Sequence, residues 1–168
     1  KEVFSIQLYY YTASVLPEVP KMNGKTLVEV GQEEGEVFIP DKIAKPDKSV
    51  GIDFSQNQVD FCNRRHSEVK NLKFVQGDAE RLSDVEILEE GSVDYVINVE
   101  SSHCYGNIDN FFKGVKRLLK KDGTFFFTDF RGVDGMKELN DKLKEHFTVV
   151  NAENISHNVM HALKLDTE

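Results

Sequence analysis

A histidine and an aspartate stand at or just beyond two short apolar runs, at the places where a strand would end. His103 follows the run Val93 to Val99, and Asp129 closes the run Gly123 to Asp129. An unperturbed histidine pKa near 6.5 suits proton removal at neutral pH. We therefore predict that His103 is a general base and that Asp129 orients it or binds a substrate hydroxyl. The alternatives are a loop histidine that caps backbone groups, and an Asp129 that caps a helix or pairs with Arg131.

A second group of residues has the spacing of a nucleoside site. Gly31 and Gly35 lie four apart after the run Thr26 to Val30, and Asp53 comes 22 positions after Gly31. In nucleoside-binding βαβ units, a carboxylate about 20 residues beyond the first glycine accepts hydrogen bonds from ribose hydroxyls. The charge of the carboxylate strengthens such bonds. The spacing therefore predicts that Asp53 holds a ribose.

The elements that must position these residues follow from an alternation of short apolar runs with longer amphipathic stretches. This alternation is typical of βα units, and nearly continuous apolar strands indicate a parallel sheet buried on both faces. We predict an α/β fold with a doubly wound, mostly parallel sheet, which binds ligands beyond the carboxyl ends of its strands. The predicted strands are Thr26 to Val30, Ser49 to Asp53, Leu72 to Gln76, Val93 to Val99, Gly123 to Asp129 and Phe147 to Asn151.

Two helices are predicted between these strands. Ser55 to Arg65 begins with a capping serine, and Ile108 to Leu119 repeats its apolar residues on one helical face. The sequence Lys120 to Gly123 then predicts the end of the second helix, with cations followed by a glycine stop.

The segment Phe4 to Ser14 precedes the first strand and has two interpretations. Its residues Ile6, Tyr9 and Tyr10 lie at helical spacing. A helix outside the βα repeat must pack somewhere, so it either covers the core or forms a lid whose tyrosines cover a ligand.

The composition limits the classes of function. The sequence has 168 residues, 39% of them hydrophobic, and a formal net charge of -8. This length suits one domain, and the acidity argues against a nucleic-acid-binding protein, which would need a basic face. No stretch is long and apolar enough for a membrane span, and two cysteines are too few for a disulfide framework. We expect a cytoplasmic protein without integral membrane contact.

Five motifs in order resemble the motifs of a known family. They are EVGQEEG at Glu29 to Gly35, GIDFS at Gly51 to Ser55, GDAE at Gly77 to Glu80, NVESSHCY at Asn98 to Tyr105, and KRLLKKDGTFFFTDF at Lys116 to Phe130. Over nearly the whole chain, they resemble class I S-adenosylmethionine-dependent methyltransferases. With IQLYYYTA at Ile6 to Ala13, the ESSHCY stretch is similar to small-molecule O-methyltransferases of polyketide and lipid hydroxyls, the phthiotriolone methyltransferase type.

The resemblance implies S-adenosylmethionine as the cofactor and a hydroxyl of a small or lipid-like molecule as the methyl acceptor. The glycine turn would meet the methionine end of the cofactor, Asp53 the ribose, Phe54, Asp78 and Ala79 the adenine, and the residues from Asn98 onward the floor beside the sulfonium. The implied cofactor contacts are Tyr9, Tyr10, Gly31, Gln32, Gly35, Asp53, Phe54, Asp78, Ala79, Asn98, Val99 and Ser101.

The first turn departs from the family pattern. Members carry GxGxG, whereas Glu33 takes the place of the middle glycine, and Glu34 and Glu36 follow. A side chain there takes up space, and the three charges would repel the carboxylate of the cofactor. A glutamate that points outward would instead attract the ammonium group. The alternative function is therefore a non-catalytic, methyltransferase-like binding domain with a degenerate cofactor loop.

We predict a single domain over residues 1–168. It divides into an amino-terminal lid or helical segment at 1–24, a βα core at 25–151 and a helical tail at 152–168. The family sheet has a last, antiparallel strand that the tail does not supply, so we expect the sheet to lack it. Either the chain is a fragment, or the sheet is completed in another way, such as by a partner chain at its edge. The sheet edge left exposed would allow a homo-oligomer.

Two other kinds of site are disfavoured. His157 and His161 lie four apart as in the HExxH zinc motif, but Asn158 replaces its glutamate, and no metal site is predicted. A nicotinamide-dependent oxidoreductase would need the full GxGxxG phosphate loop, which Gly31 to Glu36 lacks.

Overall fold

Five parallel strands form the sheet of this protein in a computed structural model, which describes residues 2–14, 22–31 and 45–167. The strands are β1 (Thr26–Val30), β2 (Lys48–Asp53), β3 (Leu72–Gln76), β4 (Val93–Val99) and β5 (Leu119–Thr128). The α-helices are α1 (Glu2–Ser14), α2 (Gln56–Arg65), α3 (Ile108–Leu118), α4 (Val133–His146) and α5 (Ser156–Thr167). Short 3-10 helices follow β3 (Ala79–Asp84) and β4 (Ser102–Cys104).

The order of the strands confirms the predicted doubly wound α/β fold. They lie in the order β3-β2-β1-β4-β5, and every pair is parallel. The chain steps outward from β1 to β3 and then returns to place β4 on the other side of β1. The crevice beyond the carboxyl ends of β1 and β4 is therefore the point where ligands are expected. Within the described residues the sheet holds no antiparallel strand.

One face of the sheet is covered by α3 and α4. The apolar side of α3 is fully buried there, as its periodicity predicted, with Phe111 and Phe112 at 0% exposure. They pack in one cluster with Val28 and Val30 of β1 and with Leu139 of α4. This burial fixes β1, the strand that leads into Gly31.

The opposite face is covered by α1. Tyr9 is 4% exposed and packs in a cluster with Leu27, Ile97 and Val99. The structure thus gives Tyr9 the core-packing role, one of the two alternatives for this segment. Tyr10, one residue on, is 48% exposed.

The bounds of β1, β3 and β4 agree with the prediction, whereas β5 begins four residues earlier than predicted. The chain passes from α3 into β5 at Leu119, so the prediction that Lys120 to Gly123 ends the helix is wrong. Lys120 instead donates from Nζ to Asp94 Oδ2 at 2.7 Å, and Lys25 donates to the other oxygen at 3.0 Å. The Asp94 side chain is only 6% exposed, and its ion pairs with Lys25 and Lys120 explain why both lysines lie beside the sheet.

The predicted strand from Phe147 to Asn151 is also wrong. Residues 147–155 contain no strand, and Val150 is 75% exposed. The ring of Phe147 packs 5.2 Å from Phe125 and 5.7 Å from Phe112, measured between centroids. Of the three apolar residues that suggested a strand, Phe147 packs against the core, whereas Val149 and Val150 are exposed. None of the described helices is long and apolar enough to cross a membrane.

Candidate functional site

Backbone hydrogen bonds extend past the strand ends and hold the site loops on a rigid edge. Gly31 N donates to Ile52 O, and Gly77 N donates to Asp53 O, each at 2.9 Å. On the other side of β1, Glu100 N donates to Thr128 O at 2.8 Å. Glu100 has a φ of +49°, an unusual conformation for a residue with a side chain, and it turns the chain sharply after β4. This turn delivers the Ser101–Tyr105 segment to the crevice.

His103 and Asp129 lie together, beyond the carboxyl ends of the adjacent strands β4 and β5. His103 Nδ1 is 2.9 Å from Asp129 Oδ1, and the backbone N of His103 donates to Oδ2 at 3.0 Å. The Asp129 side chain is 0% exposed and that of His103 is 28% exposed. A buried carboxylate thus grips both the backbone and the ring of the partly exposed histidine.

Further donors surround Asp129 and keep it ionised. Ser102 Oγ donates to Oδ2 at 2.5 Å, Phe130 N donates to Oδ1 at 2.8 Å, and Arg131 Nη1 lies 3.2 Å from Oδ1. Burial alone would raise the pKa of Asp129, but the hydrogen bonds from Ser102, His103 and Phe130 and the charge of Arg131 lower it below its usual value. Because Asp129 is therefore an acceptor at neutral pH, the Nδ1 atom of His103 carries the proton in the neutral ring.

The ring of His103 is also fixed from its side. It packs against Phe130 with centroids 4.3 Å apart, and Phe130 is itself 58% exposed. Arg131 Nη2 donates to Ser102 Oγ at 2.9 Å, which completes a closed set of contacts around Asp129. Among the described residues, none forms a hydrogen bond to His103 Nε2. The arrangement can therefore take up a proton at Nε2 while Nδ1 stays bonded to the carboxylate.

A polar cluster lies between β1 and β4, at the point where the strand order reverses. Asn98, which is 0% exposed, donates from Nδ2 to Val30 O at 2.8 Å and to Ser101 Oγ at 2.6 Å. Tyr105 Oη lies 3.1 Å from the same nitrogen and 2.9 Å from Ser101 Oγ. Val99, the remaining predicted floor residue, is 3% exposed and its side chain packs in the core.

Gly31 touches this cluster directly. Its φ is +72°, and a Cβ on this residue would lie 2.6 Å from Tyr105 Oη and closer still to Ser101 Oγ. Glycine is therefore required here by the protein's own hydroxyl groups, in addition to its left-handed backbone. The predicted cofactor contacts Gln32 and Gly35 lie outside the described residues.

Asp53 stands at the end of β2 with one oxygen already occupied. Oδ1 accepts from Ser55 N at 2.7 Å, and no described residue donates to Oδ2. Burial raises the pKa of Asp53, against the effect of the Ser55 hydrogen bond. A hydroxyl that donates to Oδ2 would favour the ionised carboxylate, as the predicted ribose contact requires.

The predicted adenine contacts flank Asp53 at neighbouring strand ends. Phe54 is 76% exposed, and its carbonyl accepts from Gln76 Nε2 at 3.1 Å. Asp78 caps the 3-10 helix after β3 by accepting from Glu80 N at 2.9 Å, and Ala79 packs partly buried against the core. These residues form a rim next to Asp53.

The described residues fit a ligand that carries hydroxyl and ammonium donors. The Oδ1 atom of Asn98 is buried and has no hydrogen-bond partner among the described residues, which is costly for a polar atom. Asp53 offers a second acceptor on the other side of β1. A nucleoside with a positively charged amino-acid tail supplies both kinds of donor.

Three residues of this site are absent from the predicted contacts: Ser102, Arg131 as a partner of Ser102, and Tyr105. Arg131 entered the prediction only as an alternative partner for Asp129, and that ion pair is present together with the histidine contact. The sequence did contain a sign of the cluster, since Ser101 and Tyr105 are hydroxyl residues in the turn after a buried strand.

Outside this site, a group of metal-ligating side chains joins α3 to α4. Asp109, Glu145 and His146 offer atoms within 4.8 Å of one another. Asp109 is bonded to Lys142 Nζ at 2.8 Å and to His146 Nε2 at 3.2 Å, so these contacts already satisfy it. The group acts as an ion-pair link between the two helices.

The sequence matches known proteins over most of its length. A family model described as a methyltransferase domain matches residues 36–167. A fatty-acid O-methyltransferase of Mycolicibacterium smegmatis is 37% identical over 129 residues, which are 76% of this chain and 44% of that protein. A probable phthiotriol/phenolphthiotriol dimycocerosates methyltransferase 2 of Mycobacterium ulcerans is 36% identical over 128 residues, 75% of this chain and 46% of that protein. The chain spans less than half the length of these curated relatives.

Solved structures share the fold. A geranyl diphosphate methyltransferase in complex with GPP and sinefungin has a TM-score of 0.62 at 21% identity, over 83% of this chain and 53% of that one. The geranyl diphosphate C-methyltransferase of Streptomyces coelicolor, in complex with S-adenosyl-L-homocysteine, has a TM-score of 0.62 at 18% identity, over 85% and 54% of the two chains.

Proposed function

The chain belongs to the methyltransferase domain family, and from this premise we propose that it transfers a methyl group from S-adenosylmethionine to a hydroxyl of a small or lipid-like molecule. The observation that carries the proposal is the His103–Asp129 pair at the carboxyl edge of the sheet. The names of the curated relatives, which include lipid methyltransferases, support the class of acceptor. The expected cytoplasmic location stays a prediction.

The residues of this chain would hold the cofactor on both sides of β1. Asp53 accepts from ribose hydroxyls, and the buried Oδ1 of Asn98 accepts from the ammonium group. S-adenosylmethionine, when bound, supplies an electrophilic methyl group on a sulfonium. His103 takes the proton of the acceptor hydroxyl at Nε2, and Asp129 stabilises the positive ring through Nδ1. The remaining rate enhancement comes from holding the acceptor and the base in position together.

Calorimetric titration tests the cofactor. We expect binding of S-adenosylmethionine at micromolar concentration and none of a nicotinamide dinucleotide. Asp53→Ala should weaken the binding because ribose loses its acceptor, whereas Asp60→Ala, a change at an exposed aspartate of α2, should not. If the unaltered chain shows no binding of S-adenosylmethionine at millimolar concentration, the proposal is contradicted. Absence of binding is the result expected of the second candidate function, a non-catalytic binding domain, which the acidic residues Glu33 and Glu34 favour.

Methyl transfer to matched acceptors tests the base. A long-chain alcohol carries a proton that must leave, whereas a fatty acid of equal length is already ionised at neutral pH. His103→Ala should slow transfer to the alcohol by about 10²-fold or more and leave cofactor binding unchanged. His157→Ala, a change at an exposed histidine, is the control. Full-rate transfer to the alcohol by His103→Ala would remove His103 as the base, and transfer to the fatty acid alone would make the acceptor a carboxylate.

A further inference from the structure

Tyr105, which is not one of the predicted cofactor contacts, lies at the centre of the polar cluster with Asn98 and Ser101. Its ring packs edge-on against the buried Phe111, with centroids 5.0 Å apart. Its hydroxyl is within hydrogen-bond distance of both Ser101 Oγ and Asn98 Nδ2. Burial raises the pKa of Tyr105 to about 12, although the contacts with Ser101 and Asn98 oppose this, so the hydroxyl keeps its proton. The ring is thus anchored in the core while the hydroxyl faces the end of β1.

The hydrogen atoms of the cluster fix the orientation of Asn98. The amide nitrogen has two hydrogens, and its nearest acceptors are Val30 O and Ser101 Oγ. A flipped amide would place oxygen against the Val30 carbonyl, so Nδ2 must face β1 and Oδ1 must remain the free acceptor. One of the two hydroxyl protons of Tyr105 and Ser101 forms the hydrogen bond between their oxygens, and this bond fixes Ser101 beside Nδ2.

The same two hydroxyls take the place of a side chain at Gly31. Because a Cβ there would collide with both, the backbone of Gly31 lies directly against Ser101 and Tyr105. Gly31 leads into the segment that contains Gln32 and Gly35, and the family resemblance assigns these two residues, together with Gly31, to the methionine end of the cofactor. The hydroxyl pair therefore sets the position from which that segment starts.

We propose that Tyr105 is a positioning residue of the cofactor site, whose hydroxyl acts with Ser101 to hold the Gly31 turn and the acceptor orientation of Asn98. This inference rests on the proposed function, because it concerns the site of S-adenosylmethionine. Tyr105 need not touch the ligand. Its role is to connect the end of β1 to the loop after β4.

Tyr105→Phe tests the proposal because it removes one hydroxyl and keeps the ring on Phe111. We expect the calorimetric Kd for S-adenosylmethionine to rise about three- to tenfold, the range expected for the loss of one buried hydrogen bond. The KM for the cofactor should rise in parallel, while kcat and the KM for the acceptor stay unchanged. A purely structural role would lower the binding stoichiometry and kcat and leave Kd unchanged. Tyr95→Phe, the same change on β4 where the ring packs on Phe126, is the matched control.

A second variant tests the pair from its other side. Ser101→Ala should raise the Kd for S-adenosylmethionine by a similar factor. The Kd of the double variant should be about that of either single variant, because the effects of two changes in one hydrogen-bond network do not add. Wild-type Kd in Tyr105→Phe, or full additivity in the double variant, would overturn this inference and leave the proposed function standing. Absence of S-adenosylmethionine binding by the unaltered chain would overturn both.

Discussion

Asp129→Asn replaces the carboxylate that holds His103 with an amide of the same shape. Asp129 Oδ2 accepts from Ser102 and from the backbone of His103, and Oδ1 accepts from the His103 ring and from Phe130 N. An amide has one oxygen, so whichever end becomes NH₂, two donors then face a donor. The change also leaves the charge of Arg131 without its carboxylate.

The magnitude follows from these contacts. A hydrogen bond to a charged group contributes about 1.5–3 kcal/mol, and loss of one partner of a buried ion pair costs about 3–5 kcal/mol. We therefore expect Asp129→Asn to lower the free energy of unfolding by about 3–4 kcal/mol. For a domain of this size, that corresponds to a Tm lower by roughly 10 °C. The loss of an oriented base should lower the rate of methyl transfer about 10²-fold or more.

The assay is a thermal melt and a transfer rate measured over a range of pH. Folding lowers the pKa of Asp129, so its stabilisation is complete above the unfolded value of about 3.9 and disappears as the pH falls through the folded pKa. The difference in Tm between wild type and variant should therefore be full at pH 7 and shrink on acidification below about pH 4. Asp122→Asn, at an exposed position of β5, is the matched control.

Two results would contradict these roles of Asp129. A Tm for Asp129→Asn equal to that of Asp122→Asn would show that the contacts around Asp129 do not stabilise the fold. A variant that is destabilised as expected and yet transfers methyl groups at the wild-type rate at a temperature where it is folded would show that Asp129 does not orient a base.

Two further predictions concern the scaffold. Asp94→Asn should lower the free energy of unfolding, measured in urea, by about 1–3 kcal/mol, because Lys25 and Lys120 lose their shared carboxylate. High salt should reduce this difference between wild type and variant. An unchanged urea midpoint would contradict the prediction. Phe112→Ala should cost about 3–5 kcal/mol, because its ring is fully buried among other aromatic rings, whereas Phe61→Ala, at a 42% exposed position, should cost much less; equal losses would contradict the core assignment.

The sequence predicted the sheet well where burial alone decides the structure. The strands β1 and β4 are short runs that the sheet buries almost completely, so their bounds were readable, and the edge strand β3 was readable from its apolar residues Leu72, Phe74 and Val75, although only Phe74 is fully buried. The start of β5 was not, because Lys120 and Lys121 have the composition of a helix end, and only the distant Asp94 shows that Lys120 belongs on the sheet. Phe147 likewise belongs to the core through its packing on α3, which no local pattern reveals.

The site was predictable to the extent that it depends on strand order. His103 and Asp129 follow adjacent parallel strands, so their proximity could be expected from the fold. The donors around Asp129 could not, because Ser102 reaches it only through the turn at Glu100 and Arg131 only by folding back after β5. The role of Gly31 could be recognised only from the structure, because the sequence indicates a glycine turn but does not show which atoms lie against it.

The burial of Tyr105 gives the site an optical label of its own. The sequence contains five tyrosines and no tryptophan, so near-ultraviolet absorption and fluorescence arise from the tyrosines without an indole background. An unperturbed tyrosine becomes a phenolate near pH 10, whereas Tyr105, with its pKa raised to about 12, remains a phenol there. In that alkaline interval Tyr105 still fluoresces as a neutral phenol, and Tyr11, whose pKa the hydrogen bond to Glu153 also raises, contributes to the same signal, so the difference between wild type and Tyr105→Phe isolates the ring beside the end of β1.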